Sequence, residues 1–373
     1  MAARLGFVST YPPTRCGLAT FTDSLRGALV GSSADDSVVV RLLDKPEAGP
    51  GTHLVAGDRA GIAPGAAQLN QCEAVIVQHE FGVYGGQDGA DVLLLLDELR
   101  VPVVVVLHTV LVTPTPHQRN VLESVVAAAD AVVVMTATAR DRLTRYAVDM
   151  RKVDVIPHGA PPSSGLLKDR NTGAGRSRAT VLTWGLLGPG KGIEWGIEAM
   201  AELADIVPPV HYVIAGRTHP KVFAHEGEAY RDRLTEQIWR LGLQRMVTLD
   251  PQYRDAASLA GLVADADVVL LPYDSVDQVT SGVLIEAVAA GKPVVATRFP
   301  HAVELLANGM GTVVPHRDPH AIAEALRTII TRRDVAAEMA AKAGQATEHL
   351  LWPAVAEQFR ALLGRLTTAC VVA

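Results

Sequence analysis

The chain has little of several things that would fix its class at once. Only three of its 373 residues are cysteine: Cys16, Cys72 and Cys370. They are scattered, odd in number and without metal-ligand spacing. That sets aside a disulfide-stapled secreted fold and a zinc module, and suits a reduced, cytoplasmic protein. No apolar run reaches the length of a membrane span, even in "VPVVVVLHTV", so no integral helix is expected. A peripheral membrane contact stays open. The net charge of −6 lacks the basic excess that nucleic acid demands. Clusters of metal ligands are absent from the sequence pattern, and so is the nucleophile elbow G-x-S-x-G. The opening "MAARLGFVST" runs almost directly into a strand, so no signal peptide is expected.

What is present is a well-buried composition, 49% hydrophobic and 20% charged, in a chain long enough for two domains. Short Val/Ile-rich runs recur at 5–10, 37–43, 74–80, 101–109, 131–137 and 153–159, with amphipathic segments between them. Near-continuous apolar runs of this length suit strands buried on both faces of a parallel sheet. The stretch "PPSSGLLKDRNTGAGRSR" (161–178) has no periodicity and reads as a linker. The rhythm then restarts at 179–185, 210–216, 246–251, 267–273, 293–299 and 311–315. The pattern predicts two doubly wound α/β domains, 1–162 and 179–352, joined by a linker over 163–178. In such sheets ligands bind beyond the carboxyl ends of the strands, so the residues just after each strand matter most.

Four such positions can carry chemistry. "GLLGPGKG" (185–192) matches the first seven positions of a phosphate loop, but Gly192 stands where a magnesium-holding Ser or Thr belongs, and Pro189 removes an N–H donor. Its place between a strand and a helix still suits an anion, with Lys191 adding a point charge. A glycine-rich turn with an exposed lysine fits equally well. "TYPPTRCGLATFTDSL" puts Gly17 where a helix N-terminus can approach a ligand, or simply starts a helix. In "PYDSVDQVTSGVLIEAVAAGKPVVAT", Ser281 is a candidate N-cap that aims free backbone N–H groups outward. Glu286 follows among small residues, where a carboxylate is better explained as an acceptor for ribose-like hydroxyls than as solvated surface. His79, Glu80 and His108 close the set at strand ends, with structural roles as the bland alternative.

Assembled, these residues resemble the retaining glycosyltransferases of family 4, with the GT-B architecture of two facing Rossmann-like domains. The resemblance rests on "PPTRCGLATF", "VIPHG", "GLLGPGKGIE", "ADVVLLPY", "SGVLIEAVAAGKPVVAT" and "AVELLANGMGTVVPHRDPHAIAEAL". It extends to a tryptophan-containing tail, "LLWPAVAEQF", and implies that residues 353–373 cross back onto the N-terminal domain. It implies a hexosyltransferase that takes a nucleotide sugar, of the GDP-mannose or UDP-glucose type, without a required metal or other cofactor. The acceptor, a hydroxyl on a saccharide, lipid or small metabolite, would lie on the N-terminal domain, with His79 and Glu80 as candidates there. The resemblance gives Lys191 the donor diphosphate, Glu286 the ribose, and the backbone of Ser281, Gly282 and Val283 the phosphate or sugar. Gly17 would approach the diphosphate, and His108 matches the histidine near the reacting carbon.

Two positions depart from the family pattern. Leu186 replaces the arginine of G-R-L-x-x-x-K-G, and Gln278 replaces the first of two glutamates eight residues apart. Gln278 can still hydrogen-bond sugar hydroxyls but carries no charge. A nucleotide-sugar-binding protein without turnover, an epimerase and a phosphorylase are the alternative readings. Arg217, just after the strand at 210–216, is the candidate for the missing cation. If it supplies that charge, Arg217→Ala weakens nucleotide-sugar binding. Unchanged affinity in Arg217→Ala, beside its loss in Lys191→Ala, would remove Arg217 from the site.

Overall fold

The computed structural model describes residues 4–31, 36–47, 52–162, 178–252 and 254–372. The chain forms two compact units, Met1–Gly159 together with Trp352–Ala373, and Ala160–Leu351. The expected linker, 163–178, lies outside the described residues apart from Arg178. Cys16 and Cys72 are free thiols, and the side chain of Cys370 lies outside the described residues.

The first unit is a seven-stranded sheet with helices between its strands. In chain order it runs β1 (Leu5–Ser9), α1 (Gly17–Val30), β2 (Ser37–Leu43), β3 (His53–Val55), α2 (Ile62–Leu69) and β4 (Ala74–His79). It continues with α3 (Val92–Glu98), β5 (Val103–Leu107), α4 (Pro116–Ala128), β6 (Ala131–Val134), α5 (Ala137–Leu143) and β7 (Val153–Val155). The strand order is β3-β2-β1-β4-β5-β6-β7, every pair parallel. The central strands are buried at every residue, which is why they read as unbroken apolar runs. Strand β3 is not predicted by the sequence. It is three residues long, only its middle leucine is buried, and it pairs at the sheet edge through Arg41↔His53.

The second unit repeats the plan with six parallel strands in the order β10-β9-β8-β11-β12-β13. These are β8 (Thr180–Trp184), β9 (His211–Ala215), β10 (Val247–Asp250), β11 (Val268–Leu271), β12 (Val294–Thr297) and β13 (Gly311–Val314). Between them run α6 (Ile193–Ala201), α7 (Pro220–Glu226), α8 (Ala229–Arg240), α9 (Ala256–Asp265), α10 (Gly282–Ala289) and α11 (Pro300–Leu305). The helical stretch after β13 divides into α12 (Pro319–Thr331) and α13 (Arg333–Leu350), because Arg332 between them takes extended backbone. Lys292, which opens the segment before β12, is structural. Its buried ammonium donates to the carbonyls of Ala264 (2.7 Å) and Ala266 (2.8 Å), closing the C-terminus of α9. Lys152 does the same for α4 in the first unit, with bonds of 3.0 and 2.7 Å to Ala127 and Ala129.

The last helix, α14 (Trp352–Val372), belongs to the first unit. Trp352, Val355, Phe359 and Leu362 join Phe7, Phe21 and Ile76 in one core. Gly159 is obligatory beside it, since a Cβ there would lie 2.3 Å from ring carbons of Trp352. Trp352→Ala is expected to cost about 3–5 kcal/mol, as for other large-to-small aromatic truncations in cores. Denaturant unfolding followed by far-UV circular dichroism reads that loss.

Candidate functional site

Each sheet changes winding direction once, between β1 and β4 in the first unit and between β8 and β11 in the second. The crevice at such a switch point is where doubly wound sheets take ligands. "GLLGPGKG" follows β8 and "PYDSVDQVTSG" follows β11, so in the second unit both sequence candidates fall on that crevice.

Two backbone contacts lock these loops together. Gly192 adopts the left-handed conformation (φ 60°) as it caps α6, and a Cβ there would sit 1.8 Å from the carbonyl oxygen of Pro272. The N–H of Asp274 donates to the carbonyl of Gly190 at 2.9 Å. Between these clamps the ammonium of Lys191 lies 4.2 Å from the ring centroid of Tyr273, in a cation–π contact. Lys191 is half-buried, and burial pushes its pKa down. Among the described residues no carboxylate pairs with it. Tyr273 is itself fixed from below by Phe299, 5.1 Å between centroids.

Ser281 is the N-cap of α10, its Oγ accepting the N–H of Leu284 at 3.3 Å. Its own N–H donates to Nδ1 of the buried His301 at 2.8 Å. The N–H groups of Gly282 and Val283 are first-turn donors without intrahelical acceptors. A Cβ on Gly185 would lie 3.7 Å from Val283 Cγ2, so the loop after β8 borders the start of α10. On that helix Glu286 accepts a hydrogen bond from Trp184 Nε1 at 3.3 Å, and burial pushes its carboxyl up to about 7. A lysine, a helix N-terminus and a carboxyl therefore share one set of strand ends. Gln278 is half-buried, its amide donating to the carbonyl of Thr280 at 3.2 Å. Arg217 is exposed, and its carbonyl accepts the N–H of Leu187 at 2.8 Å, beside the half-buried Leu186.

The sequence reading did not anticipate Trp184, Tyr273, His301 or Asp274. Asp274 ties three strand ends together. Its Oδ2 accepts from Trp195 Nε1 (3.2 Å) and Arg317 Nε (3.3 Å), beyond the bond to Gly190. Its place three residues after β11, directly before "SVDQ", is the only signal that could have drawn attention to it.

In the first unit, β4 and β5 bring His79, Glu80 and His108 together, with the N–H of His108 donating to the carbonyl of His79 at 3.1 Å. His79 is fully buried, and among the described residues neither ring nitrogen has a hydrogen-bond partner. Burial pushes its pKa down to about 4. Glu80 accepts from Thr109 Oγ1 (2.5 Å) and from the N–H of Phe81 (3.0 Å). His108 packs edge-on against Phe21 (4.9 Å), and its Nε2 lies 2.7 Å from Gln78 Oε1. Burial first, then the nearby His158 and His79, push its pKa down to about 3. His158 is held down to about 4 by burial, so all three imidazoles are neutral at pH 7. Gly17 opens α1 behind Cys16, whose Sγ accepts the N–H of Ala19 at 3.4 Å. A Cβ on Gly17 would meet no atom within 4 Å, so packing does not require the glycine. No described helix is long and apolar enough to cross a membrane.

Comparison with known proteins places this arrangement. Residues 168–349 match the model of "Glycosyl transferases group 1", and residues 58–164 match "Glycosyltransferase Family 4". A D-inositol 3-phosphate glycosyltransferase of Segniliparus rotundus is 32% identical over 55% of this chain and 47% of its own length. The chain thus spans about half of that relative. A GDP-mannose-dependent alpha-(1-6)-phosphatidylinositol dimannoside mannosyltransferase of Mycobacterium tuberculosis is 26% identical over 64% of this chain and 59% of its own. In fold, the crystal structure of HepE from Anabaena, solved with UDP, superimposes with a TM-score of 0.76 at 21% identity. It covers 97% of this chain and all of that one. The two parallel-sheet units with their returning helix are the GT-B fold. The chain belongs to the group 1, family 4 glycosyltransferases.

The carboxyl of Glu286 gives a pH test of the site. Its folded-state pKa is raised, so the stability it contributes is present below about 4.5 and is lost as pH rises toward about 7. Wild type is expected to lose up to about 3 kcal/mol relative to Glu286→Gln between pH 4.5 and 8. Urea unfolding of both proteins across that range measures the difference.

Proposed function

We propose that the protein is a retaining hexosyltransferase whose second unit binds a nucleoside-diphosphate sugar and whose first unit binds a hydroxyl acceptor. The observation that carries this reading is the half-buried Lys191, held over Tyr273 in a loop that follows β8, the same loop whose Gly185 borders Val283 at the start of α10. A desolvated cation without a carboxylate partner among the described residues, on the same strand ends as a helix N-terminus, suits an anion. Negative charge develops on the diphosphate as the bond to the anomeric carbon breaks, and these groups stabilise it as it forms. Glu286 accepts the ribose hydroxyls. Arg217 adds the charge that Leu186 withholds.

In the retaining reaction the acceptor oxygen bonds to the anomeric carbon on the face the diphosphate leaves. The acceptor proton passes to a leaving phosphate oxygen, so neither a metal nor a second carboxylate is needed. Gln278, where the family pattern has glutamate, suits that route by hydrogen-bonding the sugar without adding charge. His108, as neutral imidazole, takes a hydroxyl of the transferred sugar, and Gly17 allows the diphosphate to come close to α1. His79 and Glu80 lie on the acceptor side. The named relatives take inositol phosphate or mannosylated phosphatidylinositol, which supports a polyhydroxylated acceptor, saccharide, lipid-linked or small. One relative's name carries GDP-mannose and HepE was solved with UDP, so both donor types belong in the test. The setting is the cytoplasm, where such donors are made.

The test is a donor panel followed by diphosphate release, with polyol and lipid-linked acceptors and proton NMR of the product's anomeric configuration. Release that depends on acceptor, with retained configuration, is expected. Lys191→Ala should weaken binding of the matching nucleoside diphosphate about 10- to 100-fold, the value of a hydrogen bond to a charged group. Binding without any transfer would instead support a nucleotide-sugar-binding protein.

A further inference from the structure

Gln78 sits near the carboxyl end of β4, in the middle of the seven-stranded sheet, with a fully buried side chain. Such a position is normally filled by an aliphatic residue, as Ile76 fills the one below it. Among the described residues the amide makes one side-chain hydrogen bond, Oε1 to His108 Nε2 at 2.7 Å, while its buried Nε2 has no partner. A buried, unpaired amide N–H works against stability. Packing alone would favour leucine at this place, so the one bond the amide does make is its evident purpose.

That bond decides the state of the imidazole. A carbonyl oxygen can only accept, so the ring nitrogen facing it must carry the proton, and a neutral histidine has only one. The other nitrogen, Nδ1, is then an acceptor, and among the described residues it has no partner of its own. The edge contact with Phe21, at 85° between planes, fixes the ring's tilt from a second direction. His79 and His158, whose proximity helps push the ring's pKa down, are themselves neutral.

We propose that Gln78 is a positioning residue for His108: its amide oxygen keeps the ring proton on Nε2 and so presents Nδ1 as a lone-pair acceptor to a hydroxyl of the transferred sugar. The part concerning the sugar rests on the transferase reading above. The tautomer does not depend on it.

The experiment is nitrogen-15 NMR of the full-length protein labelled at histidine, at pH 7, with His108 assigned by the loss of its signals in His108→Gln. Wild type should show His108 as a single neutral tautomer protonated at Nε2. In Gln78→Leu the ring should populate both tautomers. With a donor found active in the panel, kcat should fall about 10- to 100-fold, the scale of a lost orienting contact, while KM for the nucleotide sugar stays unchanged. A proton on Nδ1 in the wild type overturns the proposal, as does an unchanged kcat in Gln78→Leu. If Gln78→Leu does not fold, the wild-type spectrum still decides the tautomer. A protein with the Nε2 tautomer but no turnover on any donor counts against the transferase reading and not against the Gln78–His108 bond.

Discussion

The strand-end loops of the second unit depend on one close approach, the carbonyl of Pro272 against the α-carbon of Gly192. No side chain fits there, and the left-handed turn it imposes starts α6 at a fixed place. Because the loop after β8 is pinned to the loop after β11, Lys191 has a defined ring to stand on and Asp274 has a carbonyl to hold. The glycine that disqualifies this stretch as a triphosphatase loop is therefore the one the site requires.

The two units treat charge in opposite ways. The second keeps an ammonium and a carboxyl at its strand ends and desolvates both, raising the energy of each until something complementary arrives. The first surrounds its strand ends with imidazoles that stay neutral, and a buried amide sets the hydrogen-bonding sense of one of them, His108.

Much of this was legible in the residues themselves. Strands such as Val103–Leu107 announce themselves because both their faces are buried, and the motif loops announce their positions because they follow such strands. Strand β3 did not, being three residues with one inward leucine. The break between α12 and α13 was equally silent, since no proline or glycine marks Arg332. At the site, sequence pattern could name Lys191, Ser281 and Glu286 because each belongs to a local loop or helix start. It could not name what orients them. Trp184 meets Glu286 across 102 residues, and His301 meets Ser281 across 20. Such pairings arise from the sheet order, which local periodicity does not encode. Leu186 is half-buried and nothing in the structure explains why it stands where the family pattern has arginine.

The returning helix also sets an order of events during synthesis. The first unit is begun by the first 159 residues but its core is closed by Trp352, Val355 and Phe359. On the ribosome, Phe7, Phe21 and Ile76 must wait for nearly the entire chain before their covering arrives, while Ala160–Leu351 is already complete. The half made first is thus the half finished last, and its uncovered face is the surface a chaperone would meet in the interval.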